Sequence, residues 1–343
     1  MKRRFLRSRN DVFRARDAAQ VATVHDVFRS ARVLPAAAVV LTLAACAGPV
    51  DLGKTVTNKT TVKAAGSFND DALRSVDPCG LLADDLVGDI GKKKPSGVPD
   101  RRGYSECSYS VSDPQSGKDI RLLVKVGSDL ISAPKQVAKT VGGLGVYETR
   151  TSTGCSYTAI TSRGPDHGLV ATAYWESGDP CAAATKLVES SIKAVSEGKA
   201  KYEDTPGSLV KLNPCAAIDD KTASDITGGT TKKEPDDIRA CRYTTRNVYI
   251  SVKYTIDFDP ASTAKSYNPT TVELTDKVKS AVKFKSTISP NKCQIEWIHR
   301  GLTGNRSENV NVSFERTPPD SAQDPCAKAE TAAKAVATKL ANS

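Results

Sequence analysis

The chain has 343 residues, 49 Lys and Arg against 39 Asp and Glu, a net charge of +10 and nine cysteines. With 39% hydrophobic and 26% charged residues it has the make-up of a folded globular protein, not of a disordered one. The basic excess does not point to nucleic acid: residues 1–45 hold nine Lys and Arg and three Asp and Glu, so six of the ten net positive charges sit in a segment expected to be removed.

In chain order, Arg29 and Arg32 precede an apolar run, Val33 to Leu43, which ends on Leu43-Ala44-Ala45-Cys46. A basic flank, a short apolar segment and small residues at the cut site predict a secretory signal. The run is shorter than the ~20 residues needed to span a bilayer as a helix. Residues 1–32 make a long leader for such a signal, which leaves two readings: a later start near Val27, or a true cytosolic extension. Leu43-Ala44-Ala45-Cys46 resembles the bacterial lipobox, which implies diacylglycerol on the Cys46 thiol and a mature chain held at the outer face of the cell membrane. Residues 46–72 are polar, Thr-rich and without periodicity, and are expected to be a lipidated cysteine and a flexible tether.

Eight cysteines remain, and they fall into two sets of four: Cys79, Cys107, Cys155 and Cys181, then Cys215, Cys241, Cys293 and Cys326. Corresponding members lie 136, 134, 138 and 145 residues apart, so the spacing predicts a tandem duplication at domain scale. Four of these cysteines follow Asp-Pro or Asn-Pro: Asp77-Pro78-Cys79, Asp179-Pro180-Cys181, Asn213-Pro214-Cys215 and Asp324-Pro325-Cys326. Asp or Asn as N-cap with Pro at the first helical position predicts a helix start. Helical apolar spacing follows two of them, at Cys181, Ala184, Val188, Ile192 and Val195, and at Cys326, Ala329, Ala333, Val336 and Leu340. It is briefer at Leu81, Leu82, Leu86 and Val87. The other four open strands, because the residue two positions on shares their face: Tyr109, Tyr157, Tyr243 and Ile295.

Cys155 opens a strand, Gly168–Trp175 returns antiparallel, and Cys181 follows, which makes Cys155–Cys181 a natural pair. Repetition then suggests Cys293–Cys326 and leaves Cys79–Cys107 and Cys215–Cys241. Four cysteines allow three connectivities, and the sequence leaves the other two open. Disulfides suit an exported chain. Further strands are expected at Ile120–Val126, Val248–Tyr254 and Asn309–Phe314, the last with Val310, Val312 and Phe314 inward and its polar residues outward. A short helix is expected over Pro134–Val141, stopped by Gly142-Gly143, with Asp259-Pro260-Ala261-Ser262 as its counterpart. The fold class predicted is α+β: two similar domains, 73–197 and 211–343, each an antiparallel sheet with packed helices and two disulfides, joined by a linker from Glu197 to Val210.

The lipobox, the Thr-rich tether, Asp-Pro-Cys-Gly-Leu-Leu at 77–82, the Gly/Lys/Pro loop and the Cys-x-Tyr strand together resemble secreted actinobacterial lipoproteins with a cysteine-bearing domain of unknown function. The likeness is best over Val76–Ser196. Leu212–Leu340 reads as a diverged copy, with Asn213 for Asp and Ala216-Ala217-Ile218 for Gly-Leu-Leu. A looser similarity is to the extracellular sensor domains of mycobacterial receptor kinases. The resemblance implies residence in the cell envelope and binding or sensing, and carries no catalytic residues.

Chemistry is sparse. His167, in the turn Gly164–Gly168, and His299 read as exposed loop residues, and no His/Cys spacing supports zinc. There is no Gly-x-Ser-x-Gly elbow. Gly48–Thr55 matches a phosphate-loop pattern without the strand and helix that such a loop needs. Asp84-Asp85 and Asp236-Asp237 read as polar surface. Tyr174, Trp175 and Trp297 read as strand packing. A cationic loop recurs before each strand cysteine, with Lys92, Lys93, Lys94, Arg101 and Arg102 in the first copy and Lys232 and Lys233 in the second. These are candidate anion-binding residues for wall polymer, lipid phosphate or an acidic partner. The function expected is a non-enzymatic, membrane-anchored binding or sensing module without cofactor or metal, with a carrier of an apolar ligand such as a lipid as the alternative.

Overall fold

The computed structural model describes residues 66–94, 97–130, 139–287, 289–317 and 324–342. Cys46, the apolar run before it, Gly48–Thr55 and the tether up to residue 65 lie outside the described residues, as do 134–138 of the helix expected before Gly142. The architecture is α+β, with two antiparallel sheets and a few helices.

The first sheet comprises β1 (Lys92–Lys93), β2 (Asp100–Arg102), β3 (Glu106–Ser112), β4 (Asp119–Asp129), β5 (Lys139–Val141), β6 (Leu144–Arg150), β7 (Gly154–Ser162) and β8 (His167–Tyr174). Its order is β1-β3-β4-β8-β7-β6-β5, with β2 also on β3. The second comprises β9 (Lys232–Asp237), β10 (Ala240–Thr244), β11 (Val248–Asp257), β12 (Thr270–Val272), β13 (Ala281–Lys285), β14 (Lys292–Gly301) and β15 (Ser307–Arg316). Its order is β12-β13-β14-β15-β11-β10-β9. The helices are α1 (Asp70–Arg74), α2 (Asp84–Val87), α3 (Pro180–Ser196), α4 (Asp220–Thr227), α5 (Pro260–Thr263) and α6 (Pro325–Ala341).

The two long helices start where the Asp-Pro-Cys triplets predict. The Asp179 carboxylate accepts from the N–H groups of Cys181 and Ala182, Asp324 accepts from that of Cys326, and proline stands at the first turn of each. The apolar stripe of α3 packs on β7 and β8, and that of α6 on β14 and β15. Leu122, Val124 and Ala171 meet Ala184, Val188 and Ile192 in one core, while Ile295, Val310 and Val312 meet Ala329, Ala333 and Val336 in the other. The cap also forms at the other two triplets, where Asp77 accepts from Cys79 at 2.8 Å and Asn213 from Cys215 at 2.9 Å. Only 3-10 turns follow, Gly80–Leu82 and Pro214–Ala216. The apolar spacing there is not sustained, and fresh N-caps, Ala83 and Asp219, begin α2 and α4.

Each strand cysteine is the second residue of its strand, on β3, β7, β10 and β14. The bonds are Cys79–Cys107, Cys155–Cys181, Cys215–Cys241 and Cys293–Cys326, which is one of the three pairings left open for each set of four. Each ties a capped turn or helix to the sheet. Four disulfides belong to an oxidising, extracytoplasmic compartment. Among the described residues no helix is long and apolar enough to cross a membrane.

Several expectations are corrected. Residues 66–72 are not tether: Phe68 is 1% exposed in the first core, and Asn69 caps α1. Lys139–Val141 is a strand, not the end of a helix. Val141 pairs with Leu144 across Gly142 and Gly143, whose φ values of 54° and 81° make a two-residue hairpin turn. The linker Glu197–Val210 is packed onto the fold. Lys201 bridges to Val76, the Tyr202 N–H donates to the Ser75 carbonyl, and Leu209 and Val210 are buried. The polar residues of β15 do not all face water. Asn309 and Ser313 are buried, and the Asn309 amide donates to the Phe258 carbonyl in the segment after β11.

Candidate functional site

The two sheets meet at a seam formed by the turns that lead into β3 and β10. Tyr104 lies three residues before Cys107 and Ile238 three before Cys241. Each is inserted into the opposite core: Tyr104 packs with the second-half residues and Ile238 with the first-half ones. Gly127 makes room for Ile238. Its φ is +67°, and a Cβ there would lie 2.4 Å from the Ile238 side chain. The Ile238 N–H donates to the Gly127 carbonyl at 3.3 Å.

Buried charge gathers along this seam. The Arg239 guanidinium, 2% exposed, donates to the carbonyls of Val210 and Arg74 and stacks 4.8 Å over the Tyr104 ring. Its Nε has no hydrogen-bond partner among the described residues. Burial lowers its pKa to about 10, so it stays charged at neutral pH. Arg74, also buried, pairs with Asp71 and donates to the Ile238 carbonyl. Arg101 donates to the Tyr202 hydroxyl at 2.6 Å and to Asp77 at 2.8 Å, and that hydroxyl donates to the Tyr104 carbonyl. Burial raises the Tyr202 pKa above its ordinary value. Glu308, 2% exposed, accepts from Arg300 and from the Ser208 hydroxyl at 2.6 Å each, and from the Leu209 N–H at 3.1 Å. Its pKa is lowered; burial acts upward, and these donors outweigh it.

His167 overturns its expected place in an exposed loop. It opens β8, is fully buried, and sets Nδ1 3.1 Å from both Asp70 carboxylate oxygens. Its Nε2 has no partner among the described residues. Asp237 also departs from expectation. It is half-buried, its pKa is raised by burial, and Lys253, His167 and Arg239 all act on its charge. His299 is a strand residue of β14 whose Nε2 lies 2.9 Å from the Gly207 carbonyl, not a loop residue. An Asp–His pair is two parts of a hydrolytic triad, but no serine or threonine hydroxyl is bonded to His167 among the described residues.

Concave space lies both on each half, with a cleft of ≈ 520 Å³ beside Arg121 and Tyr174 and one of ≈ 470 Å³ beside Pro260 and Trp297, and between the halves. A cleft of ≈ 1050 Å³ runs past Val98, Arg101, Tyr202, Ile256, Arg300 and Leu302. A smaller one of ≈ 300 Å³ is lined by Arg102, Ser105, Lys125, Asp237, Arg239 and Lys253, among others. The triple Glu148, Cys155 and Cys181 brings ligand-type atoms together, but both sulfurs are spent in a disulfide and cannot bind a metal as thiolates.

The candidate cations of the sequence do not form one patch. Lys92 and Lys93 form β1 and Lys232 and Lys233 open β9, so these are edge strands and not loops. Lysines on an edge discourage strand addition by another chain. Lys93 pairs with Asp84, Lys94 with Asp119, Arg102 with Asp100, Lys232 with Glu234 and Lys233 with Asp220. Arg101 and Arg102 alone of the seven reach the seam clefts. Trp297 is buried in the second core and Trp175 is packed against the first, while Tyr174 is 44% exposed. The sequence marks Arg239 only as a charge between the cationic stretch and Cys241, and does not mark Lys253, His167 or Tyr104 as site residues. Their one sequence signal is position: Tyr104 and Arg239 fall in the short segments just before a strand cysteine.

No protein family matches the chain, and neither does any curated protein. Among solved structures the chain has a faint likeness to DynU16, a protein of the dynemicin biosynthetic locus. The likeness has a TM-score of 0.12 and 11% identity, over 78% of this chain and 95% of that one. At that level it carries no argument about fold or activity.

Proposed function

We propose that the protein is a lipid-anchored binding module of the cell envelope, tethered through Cys46, made of two copies of one α+β unit, and that its ligand lies between the copies. The observation that carries the reading is where the space is. Both sheet–helix cores are filled with side chains, whereas a cleft of ≈ 1050 Å³, about twice the volume of the clefts on either half alone (≈ 520 and ≈ 470 Å³), opens along the seam. Filled cores weigh against an apolar ligand held between sheet and helices, and the clefts suit a ligand with polar groups. The duplication is supported by strand order. From β3 and β10 each sheet runs through its next strand, the last strand before the long helix, and back through the preceding ones. Export is supported by four disulfides.

Two measurements test this reading. Cys46→Ala moves the protein from the membrane fraction to the medium; a variant still held in membranes removes the anchor. Native mass spectrometry of the full chain, extracted in a mild detergent, shows a bound mass beyond the anchor lipid. A bare mass, with no ligand transferred from envelope extracts, removes the binding reading.

A further inference from the structure

The smaller seam cleft differs from the larger in charge. The larger is lined by Arg101, Lys201, Arg300 and Arg306 against Asp77, Asp100, Glu203 and Glu308, which cancel. The smaller is lined by Arg102, Lys125, Arg239 and Lys253 against only Glu106 and Asp237, an excess of two positive charges. Glu106 serves both Lys125, at 2.8 Å, and Arg102, at 3.8 Å. Arg239 satisfies its terminal nitrogens on backbone carbonyls, with no carboxylate bonded to its guanidinium among the described residues, and its Nε has no partner among them. The Ser105 hydroxyl on the same wall has no partner among the described residues either. A buried donor left unmet is costly, and both donors here belong to residues that line one small cationic cleft.

The wall is built by the seam. Lys125 follows Val124, the register partner of Cys107, and Lys253 follows Val252, the register partner of Cys241. Gly103, at φ +70°, lets the turn before β3 come close to β11, where a Cβ would sit 3.1 Å from the Thr255 hydroxyl. The two lysines come from different halves, so the site exists only when the halves are joined.

We propose that this cleft binds one phosphate-type oxyanion, with Arg239 as the buried donor and Lys125, Lys253 and Arg102 as the rim. A phosphate monoester carries about −1.5 to −2 at pH 7, which matches the excess charge. A charged Nε–H donor and point-charge lysines make charge-assisted hydrogen bonds to such a group. The inference rests on the binding-module reading and names the chemistry of one ligand group. A phosphate group can come free in solution or as the headgroup of an anionic lipid.

The test is isothermal titration of the full chain in nonionic detergent at low ionic strength, where surface charge is least screened. The probes are inorganic phosphate and, separately, dihexanoyl phosphatidic acid below its micelle concentration. One saturable site per chain is expected. Lys253→Gln weakens it at least tenfold, whereas Lys232→Gln on the distant edge of β9 leaves it unchanged. Arg239→Lys, which keeps the charge and loses the Nε–H donor, weakens it too, with folding checked by thermal melting. Binding of phosphate alone assigns a free anion. Binding of the short lipid without phosphate, and lost in Lys253→Gln, assigns a headgroup. If neither probe binds, or Lys253→Gln binds as the wild type does, the proposal is overturned. A neutral ligand found by mass spectrometry together with no phosphate binding would remove this inference and leave the binding module standing.

Discussion

Glu308 shows how single side chains hold the seam. It is a buried carboxylate on β15 whose donors come from β14 and from the segment that joins the halves: Arg300, Ser208 and the Leu209 N–H. A depressed carboxylate pKa contributes stability that is present above the unfolded value, near 4.3 for glutamate, and is lost as pH falls through the lower folded value. Glu308→Gln keeps the shape and an acceptor but not the charge. It is expected to cost about 1–3 kcal/mol at pH 7, and the gap to wild type should close as the medium is acidified. Thermal melts of both proteins between about pH 3 and 7 decide it, and a gap independent of pH would show that the carboxylate charge is not what stabilises this contact. The same comparison shows what a sequence conceals at this scale. His167 stands in a Gly-Pro-Asp-His-Gly turn, a pattern of exposed loops, and nothing local announces that α1, 97 residues earlier, will set Asp70 against its ring.

At the scale of the element the sequence is more readable, because the determinants are short-range. A cap is decided by residues two or three apart, and all four Asp/Asn-Pro-Cys triplets form it. A strand face is decided by residues two apart, and Tyr109, Tyr157, Tyr243 and Ile295 all turn inward with their cysteines. Cys155 and Cys181 pair for the same reason, since only β7, its return strand and the next helix bring them together. Readings that need a distant partner fail. Lys139–Val141 has helix-tolerant residues but becomes a strand because β6 offers an edge. Phe68 is one aromatic in a Thr-rich stretch and becomes structural only when the first core receives it. The disulfides fix the joints that these local signals begin. Cys155 and Cys181 are 26 residues apart, and closing a loop of that size is worth roughly 3–4 kcal/mol in the chain-entropy model. Replacing both with Ala should lower stability by about that amount in urea unfolding. The Cys293–Cys326 pair, 33 residues apart, should behave alike. A loss below about 1 kcal/mol would mean that the helix docks without its staple.

For the whole molecule, the exchange of Tyr104 and Ile238 decides how it unfolds. Two domains joined by a free linker melt separately, and relative motion is the usual expectation across a small polar interface. Here each half completes the other's core, the buried Arg239 bonds backbone from both halves, and the described residues lie within one compact unit. Opening the seam strands a guanidinium, a tyrosine and an isoleucine at once. The expected outcome is one calorimetric transition whose van't Hoff and calorimetric enthalpies agree. Ile238→Ala removes a side chain from the first core although it belongs to the second half, and should cost about 2–5 kcal/mol. Its effect must reach both halves. Hydrogen exchange should speed up in β7 and β8, which lie far from the mutated chain segment in sequence, as well as in β10 and β11. Two separate transitions in the wild-type protein, or an Ile238→Ala effect confined to β10 and β11, would show that the halves are independent. The phosphate site built from Lys125 and Lys253 would then have no fixed wall.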